Sequence, residues 1–225
     1  MRQTERLNDN ELALRVAFDS LSAGLRVAMP GIVQSYNPIQ GTCVINLSIM
    51  GKIVNDQGDA SFVQIAPVLD VPVVYMGGGN FVTTYPIQPG DEALVIFSDR
   101  CIDSWWQSGG VQIPADLRMH DISDGFAIIG PRSLANSIPN VSTTTAQFRS
   151  LDGTTFFEIA SGQVANVVAP NGVNITGPVN INGNVTVTGA VMATHEITAK
   201  SSVALSTHLH GGVTSGGSNT GAPIP

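Results

Sequence analysis

The last third of the chain repeats a pattern of apolar and polar positions every six residues. Residues 165–206 divide into seven blocks whose third and fifth positions are all apolar: ANVVAP, NGVNIT, GPVNIN, GNVTVT, GAVMAT, HEITAK and SSVALS. Apolar residues at alternate positions indicate β-strands, and a six-residue period with Gly or Asn near the block boundaries indicates a β-helix. The intervening positions are mostly Asn, Thr and Ser, which we expect to face water. The sequence therefore predicts a hexad-repeat β-helix over residues 165–206.

The length of this repeat indicates how many chains build the β-helix. With three faces of six residues, a single chain would use about 18 residues per coil and complete only about two coils, with both edges open. Three interwound chains would instead form a prism roughly 34 Å long whose edges are shared. We therefore expect a homotrimer with its small apolar residues inside.

A helical pattern opens the chain. Asn8 followed by Glu11 has the spacing of a capping box, and apolar residues then recur at helical spacing at Leu14, Phe18, Leu21 and Leu25. The pattern predicts a short amphipathic helix that ends before Pro30. Such a helix packs on its own domain or docks on a partner, and the sequence leaves both arrangements open.

Short β-branched runs follow the helical pattern and are separated by Gly, Pro and Asp turns. The clearest runs are Ile32 to Tyr36, Cys43 to Met50, Val71 to Met76 and Ala93 to Phe97. They predict a small barrel of about five or six strands. The triple glycine at residues 77–79 lacks the following helix and the Lys-Ser/Thr pair of a phosphate-binding loop, so we interpret it as a loop between strands.

The composition changes near residue 133. Of the 27 charged residues, 22 precede Ser133, and no Phe, Trp or Tyr follows Phe157. The two parts must therefore build their cores differently. We predict five segments: an N-terminal arm with a short helix (1–29), the barrel (30–132), a neck with the start of the β-helix (133–164), the hexad-repeat β-helix (165–206) and the tip (207–225).

The charge and the cysteines exclude several classes of protein. The net charge is −7 with no basic block, so the electrostatic requirement for DNA or RNA binding is not met. The start of the chain has no apolar signal core and no stretch reaches the length of a membrane span, so we expect a soluble fold. Cys43 and Cys101 form neither a CxxC pair nor a disulfide pattern, which favours synthesis in a reducing compartment and two ordinary buried thiols.

Two histidines near the end of the chain are candidate metal ligands. His208 and His210 lie on the same side of a strand, and three copies would supply six imidazole nitrogens. An octahedral set of this kind suits iron(II) better than zinc, whose structural sites are tetrahedral. If the hexad register continued, however, Leu209 would face inward and both histidines outward. The metal site therefore requires a register break after Ser206.

No catalytic signature is found in the sequence. His120 and His195 stand apart, and GxSxG, HExxH and Cys/His patterns do not occur. Some carboxylates of the barrel could pair as the acid and base of a glycosidase, but we interpret them as solvated turn residues: Asp91, Glu92, Asp99, Asp103 and Asp116. We therefore expect no enzyme and no small-molecule substrate.

Several motifs occur in a fixed order along the chain. They are Pro72-Val73-Val74-Tyr75 with the Gly77 to Gly79 loop, Tyr85-Pro86-Ile87-Gln88-Pro89-Gly90-Asp91-Glu92, Asp103-Ser104-Trp105-Trp106 with Ser108-Gly109-Gly110, Arg118-Met119-His120-Asp121, and His208-Leu209-His210-Gly211-Gly212 with Thr220-Gly221-Ala222-Pro223. Together they resemble the membrane-puncturing central spike proteins at the baseplate of contractile bacteriophage tails.

The resemblance implies a mainly β protein: an OB-type barrel that attaches to the baseplate hub protein, an intertwined trimeric β-helix, and a pointed tip. One iron per trimer would be held at that tip by His208 and His210 of each chain. Some related spikes carry further ions along the axis, and no residue here is assigned to them. The protein would be made in the host cytoplasm, join the virion at the tip of the tail baseplate, and pierce the host outer membrane without enzymatic activity.

Two alternatives accompany this function. A trimeric receptor-binding fibre (an adhesin) should carry aromatic or charged pockets on its β-helix, and no aromatic residue follows Phe157. A metal-dependent hydrolase using His208 and His210 would need an open coordination position and a nearby general base. No carboxylate follows Glu196.

Overall fold

The computed structural model describes residues 3–55, 58–199, 203–207, 212 and 216. Within these residues the chain is mainly β, which confirms the predicted fold class, with helices α1 (Gln3–Gly24) and α2 (Asp103–Ser108) and a 3-10 turn at Leu134–Asn136. Neither of the two α-helices in this part of the chain is long and apolar enough to cross a bilayer. The strands are β1 (Ala28–Asn37), β2 (Thr42–Leu47), β3 (Gly51–Val54), β4 (Ala60–Val63), β5 (Val68–Pro72), β6 (Gly77–Gly78), β7 (Phe81–Val82), β8 (Glu92–Phe97), β9 (Gly125–Ile129), β10 (Ala146–Arg149), β11 (Phe156–Ala160), β12 (Val164–Val168), β13 (Thr198–Ala199) and β14 (Val203–Ala204).

The chain divides into two compact units, Met1–Pro170 and Asn171–Pro225. The first unit contains α1, α2 and all strands up to β12, and the second contains β13 and β14. The five predicted segment boundaries stay predictions.

A curled antiparallel sheet forms the centre of the first unit. Its strand order is β5-β2-β1-β8-β9, and every neighbouring pair is antiparallel. The sheet curls far enough for its two ends to meet, because Val73, just after β5, forms a parallel bridge to Ala127 in β9. The N–H of Val74 donates to the carbonyl of Ala127 at 2.8 Å and reinforces this closure.

The core of this sheet comes from one face of its strands. Alternate residues of β2 and β8 point to the same face, and the apolar ones on the inner face are buried. The core consists of Val33, Cys43, Ile45, Leu47, Val68, Val71, Ile87, Ala93, Val95, Phe97 and Ala127. Gly31 allows close packing, since a Cβ there would lie 2.5 Å from the Ile45 side chain.

Helix α1 differs from the prediction in its start, its length and its surroundings. It begins at Gln3, so Asn8 lies inside the helix and the predicted capping box does not start it. It is also longer than predicted, at 22 residues. Its large apolar side chains over residues 11–22 are more than half exposed, so the alternative that it packs on its own domain is wrong for the single chain. The segment after the helix is tied to the barrel, since Arg26 donates its N–H to the His120 carbonyl at 3.3 Å and His120 Nδ1 lies 3.1 Å from the Arg26 carbonyl.

A second antiparallel sheet, β10-β11-β12, lies after the barrel in the chain, and we call it the neck sheet. One segment of the neck is fastened by Arg149, whose guanidinium donates to the carbonyls of Pro139 and Asn140 at 2.9 and 2.6 Å. Gly153 makes room for that side chain, because a Cβ there would collide with the guanidinium and its φ is +75°.

Residues 171–197 form no paired strand within the chain. Three glycines near the block boundaries have positive φ angles, namely Gly172 (99°), Gly177 (122°) and Gly183 (157°). Glycine adopts this conformation without a steric penalty, so the chain changes direction close to where the sequence divides into blocks. Further on, β13 and β14 pair with each other as an antiparallel hairpin.

Candidate functional site

The neck sheet exposes an apolar face. Phe148, Phe157 and Val167 lie opposite one another on β10, β11 and β12, and Ile159 lies two residues along on the same face. All four are exposed, and Phe148 is 70% exposed. Cross-strand rows of aromatic and branched residues stabilise a sheet when another layer covers them. In the single chain this face has no cover.

The hexad blocks also expose a regular row of apolar residues. The third and fifth positions of blocks two to four, and the third position of block five, are each more than half exposed: Val173, Ile175, Val179, Ile181, Val185, Val187 and Val191. A soluble protein rarely leaves a long regular row of branched apolar side chains in water. In the single chain this row is an exposed apolar surface.

The opposite face of the neck sheet is polar, and its side chains form hydrogen bonds with one another. Glu158 accepts hydrogen bonds from Gln147 on β10 (2.8 Å), Asn166 on β12 (3.0 Å) and the Thr145 hydroxyl (2.9 Å). The Gln147 bond, followed by those from Asn166 and Thr145, lowers the pKa of the Glu158 carboxyl below its usual value of 4.5. One carboxylate thus joins all three strands.

A second carboxylate joins the barrel to the segment that leaves it. Glu92 on β8 accepts from the backbone N–H of Ser133 at 2.5 Å, from its hydroxyl at 2.7 Å and from the Asn136 amide at 2.9 Å. These bonds, first the one from the Ser133 hydroxyl, lower the pKa of the Glu92 carboxyl.

The two candidate metal ligands, His208 and His210, lie outside the described residues. Just before them, the hairpin of β13 and β14 is held by Glu196, which accepts from the N–H and the hydroxyl of Ser206 and from the N–H of Ile197. Leu205 donates its N–H to the Ile197 carbonyl at 2.9 Å. These bonds hold residues 196–197 against residues 205–206, shortly before the predicted tip.

Another group of potential metal ligands lies in the barrel. Within the described residues, only Cys101, Asp103 and Asp124 form a group of three whose donor atoms are close enough to share an ion. The Arg118 guanidinium already occupies both carboxylates, because it donates to Asp124 at 2.7 and 2.9 Å and to Asp103 at 2.9 Å. The group is therefore an ion-pair cluster, and its positive charge comes from Arg118.

Asp124 is the residue of this cluster that the sequence analysis missed. Its side chain is fully buried, and its second contact is the N–H of Ile102 at 3.0 Å. The hydrogen bonds from Arg118 to Asp124, and then to Asp103, raise the pKa of the Arg118 guanidinium. The available signal was its place directly before Gly125 and the buried strand β9.

The five carboxylates that we considered as a glycosidase pair have structural partners instead. Glu92 starts β8 and Asp103 starts α2, so neither lies in a turn as predicted. The partners are Gln88 N–H for Asp91 (2.8 Å), Ser133 for Glu92, His120 Nε2 for Asp99 (3.2 Å), Arg118 for Asp103 and Arg118 N–H for Asp116 (2.8 Å).

The two cysteines are free and buried, as expected. Burial, and to a lesser extent the nearby Asp91, raises the pKa of the Cys43 thiol to about 11. A protonated thiol in the core is a poor nucleophile. Cys43 therefore contributes to packing.

Comparison with known families finds two matches in the chain. Residues 29–130 match the family described as "Phage protein Gp138 N-terminal domain", and residues 202–223 match the "GpV Apex motif". No curated protein matches the chain. The first match spans the curled sheet and the Arg118 cluster, and the second spans β14 and both candidate histidines. These two matches, in this order, confirm the resemblance to the central spike proteins of phage tail baseplates.

Proposed function

We propose that the protein is a non-enzymatic spike that pierces the host outer membrane when the tail contracts. The observation that carries this proposal is the exposed apolar row of the hexad blocks, directly followed by the Apex motif at residues 202–223. A rigid narrow needle requires such a row as its internal core. Contraction of the sheath supplies the force, and the needle concentrates that force on a small area.

Three copies of the chain build the needle. The apolar rows of the hexads and of the neck sheet become the interior of a three-sided prism, while Asn, Thr and Ser cover its outside. Residues 171–197 form no paired strand in one chain, which agrees with strands whose hydrogen-bond partners belong to the other two chains. When these strands pair with the two neighbouring chains, the trimer closes and no free strand edge remains along the needle.

The tip holds a metal ion, and we propose iron. The donor set fits, since His208 and His210 of three chains supply six imidazole nitrogens, which suits an octahedral ion better than tetrahedral zinc. The ion supplies cross-links between the three chain ends. Because all six donors come from protein, the site serves as a structural staple.

The barrel attaches the spike to the baseplate hub protein. Its strand order, with the parallel bridge from the end of β5 to β9 that closes the curled sheet, supports an OB-type barrel. The net charge of −7 opposes nucleic-acid binding, and five acidic residues of the barrel are engaged in structural contacts, namely Asp91, Glu92, Asp99, Asp103 and Asp116. We therefore assign the barrel to protein attachment, with no nucleic acid and no small-molecule substrate. The two family matches support a virion location at the tip of the tail baseplate.

Piercing and receptor binding are separated by an experiment on phage particles. Particles whose spike lacks residues 165–225 should adsorb to the host and contract normally, but should fail to admit a dye into the periplasm. A receptor-binding fibre would instead lose adsorption. Normal dye entry without the needle would contradict the proposal.

The metal is tested on the purified full chain without an affinity tag. Elemental analysis should find one iron per three chains, and the double variant His208→Ala/His210→Ala should lose it. His195→Ala is the matched control, because His195 is an exposed histidine of the needle outside the tip, and it should retain the iron. Iron retained by the double variant would contradict the assignment.

A further inference from the structure

Helix α1 and Leu25, the residue directly after its end, carry an apolar seam with heptad spacing. Leu14, Phe18, Leu21 and Leu25 follow one another at intervals of four, three and four residues. This is the alternation of d and a positions in a coiled coil, with Leu14 and Leu21 at d. All four residues are more than half exposed, so nothing within the described chain covers the seam.

Most charged residues of α1 fall outside the a and d positions of this seam. Counted in the same heptads along the sequence, Glu5, Arg6, Asp9, Arg15 and Asp19 fall at positions b, c, e and f, and Glu11 is the exception at an a position. Glu11 lies one turn before the seam begins at Leu14 and is paired with Arg15 at 2.8 Å on its own helix. The seam from Leu14 to Leu25 is therefore free of charge.

A helix with an exposed apolar seam requires another surface to pack against. An isolated helix of about 20 residues is marginal in water, and most helix stability in proteins comes from packing of an apolar face. The 22 residues of α1 correspond to three heptads and about 33 Å of helix. That length is sufficient for a short coiled coil once the chains are already held together.

We propose that the α1 helices of three chains associate as a parallel three-stranded coiled coil. The inference rests on the proposed trimer, which supplies three parallel copies at high effective concentration. A second copy of this chain is the occupant that the heptad spacing specifies, since Leu at d and apolar residues at a interlock with the same positions of identical helices. The trimer is then clamped at both ends, by the coiled coil at the N-terminus and by the tip at the other.

Helix α1 also has exposed apolar residues outside the seam, which serve as controls in the experiments. Leu12 and Val16 are as exposed as the seam residues, but they occupy outer positions b and f. An association through the seam should not depend on them. A general apolar attraction, or a partner that surrounds the helix, would use both sides.

The test uses single cysteines in the full chain. Leu21→Cys at a d position should form disulfides between chains under mild oxidation, several-fold more than Val16→Cys at an f position, measured after complete denaturation. Cys43 and Cys101 are buried and form a constant background. Equal cross-linking by the two variants would overturn the coiled coil.

Helicity provides the second readout. Leu14→Ser/Leu21→Ser should lose most of the circular-dichroism signal of α1 while the protein remains a trimer, and Leu12→Ser/Val16→Ser should keep it. A trimer whose helicity is the same in both double variants, or whose α1 becomes helical only when the hub protein is added, would overturn this inference alone. A monomeric protein would overturn the proposed function and the coiled coil together.

Discussion

Glu92 on β8 accepts hydrogen bonds from both the N–H and the hydroxyl of Ser133, which lies 41 residues later in the chain. Ser133 lies where the charge-rich barrel sequence gives way to the neck, which has only three charged residues. The barrel is therefore joined to the neck by a side-chain contact as well as by the backbone. In a spike that transmits force from the barrel to the needle, this contact stiffens the junction.

Replacing Glu92 by Ala should loosen the junction without unfolding the barrel. The change removes the acceptor for three hydrogen bonds at residues 133–136, and the strand β8 keeps its own pairing. Hydrogen exchange should become faster at Ser133 and Asn136. Asp19→Asn on α1 is the control and should change nothing there. Unaltered exchange at Ser133 in Glu92→Ala would show that the contact does not hold the segment.

The neck sheet should lose stability in acid through Glu158. The folded pKa of this carboxyl is lowered, so its contribution to stability is complete above the usual value of 4.5 and disappears as the pH falls through the lower folded value. Glu158→Gln cannot titrate and should flatten the dependence of neck stability on pH below about 4.5. Hydrogen exchange of β11 between about pH 3 and pH 6 measures this, since the intrinsic exchange rate can be subtracted. The same pH dependence in both proteins would contradict the assignment.

Removing Arg118 should destabilise the barrel strongly. Arg118→Met leaves the buried Asp124 carboxylate without its cation, and breaking a buried ion pair in this way costs about 3 kcal/mol or more. Trp105 and Trp106, the two tryptophans of the chain, lie on α2 and report the unfolding of this region by fluorescence in urea.

Arg100→Met is the matched control for Arg118→Met. Its partner Asp99 is exposed, and a surface pair contributes about 1 kcal/mol at most. The double variant Arg118→Met/Asp124→Asn should recover part of the lost stability, because the unpaired charge is then gone. Additive losses in the double variant would show that the two residues act independently.

A charge on the inner row of the hexads should prevent the trimer from forming. Ile175→Asp places a carboxylate where we propose the core of the needle, at a cost of several kcal/mol per chain. Asn174→Asp adds the same charge at the neighbouring outward position and should leave the trimer intact. Resistance to SDS on a gel separates the two variants. Equal resistance would mean that Ile175 does not face the core.

The sequence was sufficient for features that depend on local periodicity. The continuous apolar run from Ala93 to Phe97 predicted the buried strand β8, and the runs of the barrel correspond to strands of the curled sheet. The motif order from Pro72 to His210 was sufficient for the resemblance that the two family matches confirm, because several short motifs together are specific where each alone is not.

Features that depend on distant partners could not be predicted. Asp103 resembled a solvated turn residue because its cation, Arg118, is 15 residues away and is positioned by the fold. The burial of Asp124 could not be predicted for the same reason, because the fold brings its partner Arg118 to it. Asn8 and Glu11 had the spacing of a capping box, but the residues before them also favour a helix, so α1 starts at Gln3.

The central claim is that three chains build one spike, and native mass spectrometry of the purified full chain tests it most directly. We predict a single species with the mass of three 23.5 kDa chains that persists at nanomolar concentration. The apolar rows of the neck and the hexads are then covered by neighbouring chains. A stable monomer with those rows exposed to water would contradict the account.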